Sequence, residues 1–292
     1  MTSTKEVRTL LRNFSELVMV QHTVFSLPFI FIAMIVASYH QSGTGWFGWR
    51  LLMLGVLAAL TARNFAMGVN RYLDRDIDAL NPRTKTRPSV DGRIGTKAQL
   101  WFIALNAVAF VAVAYAINDT ALKLSVPILA ILGGYTLFKR FSAAAHLVLG
   151  LSLGLAPIAG VIAVTGTITG WSVYLALGVM FWVAGFDLLY SLQDIAFDKA
   201  HGLHSVPSRF GAKATLRIAA AFHVATVVLW YAFIRTAHLG TWGYVAVVAS
   251  AVMLAYEHRL VHKDFTKIDR AFFTVNGYLG FVFLFCMIME VV

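Results

Sequence analysis

Apolar residues fall along this chain in long runs separated by short polar intervals, and the runs share one length scale. Nine of them, at roughly 17–40, 50–74, 98–117, 120–138, 144–166, 171–194, 213–235, 240–257 and 268–290, are near the roughly 20 residues that carry a helix across a bilayer. Barrel strands would instead alternate over about ten residues. The pattern predicts an all-α, polytopic membrane protein: a bundle of nine transmembrane helices forming one domain over residues 1–292. Composition agrees, with 59% hydrophobic and 13% charged residues and a mean hydropathy of +0.73, whereas a soluble domain carries about 25% charge. The first run is too long for a signal peptide and lacks a small-residue cleavage site, so it reads as a retained helix.

The net charge of +10 is unevenly spread. Lys5, Arg8 and Arg12 precede the first run, and Arg83, Lys85, Arg87, Lys139, Arg140, Arg209, Lys263 and Lys267 follow even-numbered runs. The alternate loops hold little beyond Arg50, Lys123 and Arg235. By the positive-inside rule the N-terminus and even-numbered loops are cytoplasmic and the C-terminus lies outside. The basic excess is then topology, assisted by anionic membrane lipid, and gives no cause to expect nucleic acid as a partner. Cys286 is the single cysteine, which excludes an intramolecular disulfide and a thiolate metal cluster.

Six of the ten aspartates sit in two short stretches. In "NRYLDRDID", Asn70, Asp74 and Asp78 are spaced i, i+4, i+8, so a helix sets them in one row about 6 Å apart in rise. In "DLLYSLQDIAFD", Asp187, Tyr190, Asp194 and Asp198 share a face by the same periodicity. Both rows close runs that cross in the same direction, so both reach the cytoplasmic surface, where two helices could face each other. Clustered carboxylates repel unless something neutralises them. Hard cations favour such oxygen ligands, and Mg²⁺ completes its shell with water and substrate phosphates, which points to a diphosphate substrate. The bland alternative is solvated interfacial acid paired with Arg71 and Arg75, and Asp76, off the row, is read that way. A transporter with a proton relay is the remoter alternative, but its aspartates would lie near the midplane. The stretches "DIDALNPRTKTRPS" and "DIAFDKAHGLHSVPS" each end a helix and close on Pro-Ser, which hints at two related halves.

Basic residues follow the first motif in "NPRTKTRP", where Pro82 and Pro88 stop the helix. Arg83 and Arg87 are candidate forks for diphosphate oxygens. Lys139 and Arg140, in "YTLFKRFS", either bind diphosphate or anchor a span. Arg63 lies seven residues before Asn70, on nearly the same face and about 10 Å deeper. An intramembrane arginine faces a bundle interior or a cavity, where it binds substrate or pairs with helix carbonyls. Gln21 and His22 form a polar spot in the first run that serves a substrate head group or helix packing. His201 and His204 form an HxxH in a loop, without the helical period of a metal site.

With "NRYLDRDID" as NxxxDxxxD, "DIAFD" as DxxxD after "DLLYSLQ", the "YTLFKR" loop and the nine-run layout, the whole chain resembles the UbiA superfamily of intramembrane prenyltransferases. The resemblance implies that the aspartate motifs hold Mg²⁺ on a polyprenyl diphosphate whose prenyl group passes to an aromatic acceptor. Residue by residue, it makes Asn70, Asp74, Asp78, Asp194 and Asp198 the metal and diphosphate residues. Asp187 and Tyr190 stand beside them, and Asp187 or Asp194 is the candidate base for the ring proton. "AGFDLLYSLQDIAFDKAHGLHSVPSRFG" is similar to bacterial 4-hydroxybenzoate polyprenyltransferases of ubiquinone biosynthesis. "VMVQHTVFSLPFIFIAMIVA" looks more like a related menaquinone branch with a hydroxynaphthoate acceptor. Both readings imply an aromatic acid, a bacterial inner membrane, and an acceptor site for which Arg63, Gln21 and His22 are the candidates.

Overall fold

The apolar runs fold as helices, some of which end at Gly or Asn, as at Gly48, Asn81, Gly95, Asn118 and Gly166, in a computed structural model that describes residues 4–19, 27–263, 268 and 274–292. In chain order these are α1 (Thr4–Val18), α2 (Leu27–Ser42), α3 (Trp49–Leu73), α4 (Arg75–Leu80), α5 (Thr96–Ile117) and α6 (Asp119–Gly134). There follow α7 (Ala145–Thr165), α8 (Gly170–Tyr190), α9 (Ile195–Ala200), α10 (Val206–Thr236), α11 (Thr241–Lys263) and α12 (Asn276–Val291). A 3₁₀ turn, Tyr135–Arg140, continues α6, and another, Ser191–Asp194, joins α8 to α9. No strand occurs among the described residues, so the all-α expectation holds.

The span count differs from the sequence reading. Among the described residues seven helical segments are long and apolar enough to cross a membrane, and the chain is a multi-pass membrane protein. The first and last expected spans are instead the shorter apolar helices α2 and α12, of 16 residues each. Leu17 and Val18, which open the first apolar run, belong to α1, which ends as Met19 takes a left-handed φ of 48°. The last run is helical in α12 from Asn276, and residues 269–273 near its expected start lie outside the described residues. Gln21 and His22 lie outside the described residues. In α10 the helical geometry breaks at Gly211, whose φ of 77° favours glycine.

Two close helix contacts set the centre of the bundle. Gly150 and Gly154 of α7 form a GxxxG face, on which a Cβ would lie 2.2 Å from the Met180 carbonyl oxygen and 2.8 Å from that of Ala176 in α8. Without a hydrophobic drive between helices in lipid, such close backbone approach supplies the packing energy. On its other side, α8 accommodates large rings of α10. Trp230 and His223 come within 2.3 and 2.4 Å of where a Cβ would stand on Gly178 and Gly185. A buried polar chain extends the clamp, with Trp182 Nε1 donating to Asn276 Oδ1 and Asn276 Nδ2 to Glu257 Oε1, both at 2.7 Å. The segment carrying the second acidic motif is therefore held from three sides. Gly150→Ala is expected to force α7 from α8 at a cost of about 1–3 kcal/mol, read as a lower thermal midpoint in detergent. Gly134→Ala, whose Cβ would meet nothing within 4 Å, is the neutral control. Equal midpoints for the two variants would show that the α7–α8 contact does not set the packing.

Candidate active site

Both acidic motifs break helix at the same point. Asp74, between α3 and α4, has φ −90° and ψ 7°, and Asp194, before α9, has φ −99° and ψ 5°. Each is followed by a six-residue helix. The weak internal likeness of the two stretches is thus repeated in backbone conformation, in a sparsely occupied region common at active sites. The first row survives its break, because the Asp74 amide still donates to Asn70 O at 2.9 Å and that of Asp78 to Asp74 O at 2.7 Å. The second row is interrupted by the 3₁₀ turn, which a uniform helical period does not foresee. Asp187, Tyr190, Asp194 and Asp198 nevertheless line one cavity of about 340 Å³, together with Asn70 and Asp74. Asp78 lines an adjoining polar pocket with Asp74, Asp194 and Asp198.

Basic side chains neutralise these carboxylates. Arg87 Nη1 lies 2.7 Å from each Asp78 oxygen. Arg83 binds Asp194 through Nη2 and Nε, at 2.6 and 3.2 Å, and donates to the Tyr190 hydroxyl at 3.0 Å. Lys139 Nζ sits 3.1 Å from Asp74 Oδ2, which also accepts from Thr136 and Asn70. Ser205 donates to Asp198 at 2.7 Å. Arg140 is not brought into the cavity. Successive residues of a 3₁₀ turn point about 120° apart, so Lys139 faces Asp74 while Arg140 turns outward to Asp76 and the Leu73 carbonyl. The Arg140 hydrogen bond holds the Asp76 carboxyl below its ordinary range.

Deeper in the cavity the partners change. Arg63 donates to Met19 O at 3.4 Å, and its buried Nε has no partner among the described residues. Among the described residues Arg71, 6% exposed, donates hydrogen bonds to neutral atoms only, Asn70 Oδ1 at 3.1 Å and Met19 Sδ at 3.2 Å. Asp187 pairs with His146 of α7, Oδ2 to Nδ1, at 2.7 Å. Sequence reasoning passed over His146 and Thr136; a histidine opening an apolar run was the available signal for the first. His204 lines the cavity, but its loop is tied by a backbone hydrogen bond to Lys139 O. The cavity shares Arg63, Met67, Tyr135, Leu149 and Leu153 with an apolar chamber of about 150 Å³. A second chamber of about 230 Å³ continues it toward Ile117 and Ile168.

Comparison with known proteins gives this geometry its family. The profile of the UbiA prenyltransferase family matches residues 26–286. The chain belongs to that family. The 4-hydroxybenzoate octaprenyltransferase of Paracidovorax citrulli is 30% identical over 239 residues, covering 81% of this chain and 80% of the relative. That of Thiobacillus denitrificans is 29% identical, covering 77% and 76%. A ligand-free UbiA homolog from Aeropyrum pernix superposes with a TM-score of 0.83 at 30% identity, over 93% of this chain and 98% of that one. A UbiA homolog from Archaeoglobus fulgidus bound to GPP and Mg²⁺ shares the fold, with a TM-score of 0.74 at 18% identity, over 95% and 99%. Membership makes this chain a prenyltransferase.

The ion pairs carry a stability consequence. Asp78 is 5% exposed at its side chain, so removing Arg87 strands a buried charge. Arg87→Leu is expected to cost about 3 kcal/mol, and adding Asp78→Asn to recover most of it. Thermal unfolding of the single and double variants checks this, and equal loss in both would deny the coupling.

Proposed function

We propose that this chain transfers a polyprenyl group from an allylic polyprenyl diphosphate to an aromatic acid, in the first place 4-hydroxybenzoate. The observation that carries the reading is the continuity of a polar, charge-lined cavity with an apolar passage through a wall that holds Arg63. A diphosphate head fits the first, an isoprenoid tail the second, and an aromatic carboxylate the Arg63 guanidinium between them, which has no carboxylate partner among the described residues. The names of the Paracidovorax and Thiobacillus relatives support the acceptor, and the GPP-bound Archaeoglobus homolog supports the donor class. The surrounding architecture in this reading is one domain of nine spans in a bacterial inner membrane, with α2 and α12 crossing as short helices. The motif loops and N-terminus are cytoplasmic and the C-terminus is outside.

The donor set fits Mg²⁺. Asn70, Asp74, Asp78, Asp194 and Asp198 offer hard oxygens, and the buried Asp74 Oδ1 has no partner among the described residues. No three acidic or imidazole groups converge on one point among those residues, which suits an ion that takes one or two carboxylates and completes its shell with phosphate and water. Bound there, Mg²⁺ would supply charge neutralisation for the leaving diphosphate. Arg83, Arg87 and Lys139 bind the diphosphate oxygens and stabilise the anion that develops on them. Arg140, committed to Asp76, anchors the 3₁₀ turn instead. Tyr190 orients the Arg83 fork. Arg63 holds the acceptor carboxylate by two parallel hydrogen bonds, which points the ring toward the allylic carbon. The apolar wall excludes water from the electron-poor allylic group.

Transfer by membranes supplied with labelled polyprenyl diphosphate and a panel of aromatic acids, hydroxynaphthoates included, tests the assignment. Transfer is expected to stop in excess EDTA and to return with Mg²⁺; full activity after exhaustive metal removal would reject the metal site. Arg63→Lys is expected to raise the acceptor KM about tenfold, since lysine cannot reproduce the fork, with the diphosphate KM nearly unchanged. Selective loss of diphosphate affinity would move Arg63 out of the acceptor site.

A further inference from the structure

His146 and Asp187 form a pair that the metal and diphosphate assignments leave unused. Counted back from the matching helix breaks at Asp74 and Asp194, Asp187 stands seven residues and Arg63 eleven residues away, so Asp187 lies roughly 10 Å and Arg63 roughly 16 Å deeper than the breaks. Both line the same cavity. An acceptor gripped at its carboxylate by Arg63 and extending toward the motifs therefore brings its ring to the depth of Asp187.

The hydrogen bonds give the pair a direction. The Val206 amide donates to His146 Nε2 at 3.5 Å, which makes that nitrogen the acceptor and leaves Nδ1–H to face Asp187 Oδ2 at 2.7 Å. Only Oδ2 of Asp187 is engaged among the described residues, which leaves Oδ1 without a hydrogen-bond partner among them on a residue that lines the cavity. Asp194 differs, since both of its oxygens are held by Arg83 and Oδ1 also by Asn81 at 3.4 Å. Nor is the His146–Asp187 bond needed to join α7 to α8, because Gly150 and Gly154 already bring those backbones together.

We propose that His146 is a positioning residue that holds Asp187 as a carboxylate aimed at the acceptor ring, and that Asp187 Oδ1 removes the ring proton. The inference rests on the function proposed above. In 4-hydroxybenzoate the hydroxyl directs attack to ring carbons ortho to itself, the para carbon being blocked by the carboxylate. As the allylic C–O bond breaks, its electron pair leaves with the diphosphate, and a ring electron pair forms the new C–C bond. The proton on that ring carbon then passes to Asp187 Oδ1, and the C–H electrons restore the aromatic ring. Water takes the proton from Asp187 afterwards.

The test uses the full-length protein in membranes, with 4-hydroxybenzoate deuterated ortho to the hydroxyl. In the unaltered chain, proton loss follows the slow ionisation and the isotope effect is expected to be near unity. His146→Ala is expected to lower kcat by about tenfold or more, to leave the diphosphate KM within about twofold, and to bring out a primary deuterium isotope effect. His146→Gln keeps a donor for Oδ2 and is expected to restore part of the rate and shrink the isotope effect. Asp187→Asn, which preserves shape, is expected to show the largest isotope effect of the three. A lower rate with no isotope effect in any variant, as a merely structural pair would give, overturns the proposal while the parent function stands. Failure of the unaltered chain to prenylate any aromatic acid rejects the parent function and this role with it.

Discussion

The motif end of this bundle is organised by the cost of keeping carboxylates ionised inside it. Asp74 and Asp78 are 3% and 4% exposed, and an unpaired carboxylate at such burial is too costly to keep its charge. Neutralising them dictates local structure over long stretches of chain. The segment after α4 folds back so that Arg87 meets Asp78 and Arg83 reaches Asp194, 111 residues away. The 3₁₀ turn after α6 delivers Thr136 and Lys139, three residues apart and hence on one side, to the same oxygen of Asp74. Farther along, Arg93 ties the same segment to Glu16 of α1 at 2.6 and 2.9 Å, so the N-terminal helix is fixed to the region that supplies the cations.

The same pairing has a consequence for ligand binding on the proposed function. A cation entering alone would displace Arg83, Arg87 or Lys139 from their aspartates and leave positive charge in excess. A diphosphate entering alone would do the reverse. Together the two charges nearly cancel, and each basic side chain released by the metal becomes free for a phosphate oxygen. The arrangement favours their binding as a pair, a reciprocal coupling of the kind that linkage requires.

Much of this was legible from the chain. The apolar runs give the helices, and the i, i+4 spacing of Asn70, Asp74 and Asp78 gives a row that persists across its break. The count of full-length spans was less secure, because apolar residues continue through the end of α1 and period alone does not reveal the turn at Met19. Arg140 shows a different limit. It is adjacent to Lys139 and on the same side of the membrane in any topology, yet the local switch from 3.6 to three residues per turn sends it to Asp76. His146 escaped because its partner is 41 residues distant, and only the glycine-mediated contact of α7 with α8 brings the two together. Periodicity reports which face a residue occupies; it does not report what stands opposite.

The apolar chambers are the least expected part of the bundle from packing considerations. Voids forfeit dispersion contacts and are penalised in proportion to volume, and membrane helices depend on those contacts more than soluble ones do. Here the space is created by sequence: Ala58, Ala59, Ala62 and Ala66 of α3 and Ala156 and Ala159 of α7 line the first chamber with small side chains. Larger residues facing that chamber would fill it. A bundle that keeps alanine there, directly below a charge-balanced polar cavity, retains room for an apolar chain at the cost of stability. On the proposed function, the cavity's polar end and its apolar end follow from one demand, that a single ligand carry a strongly charged head and a hydrocarbon tail.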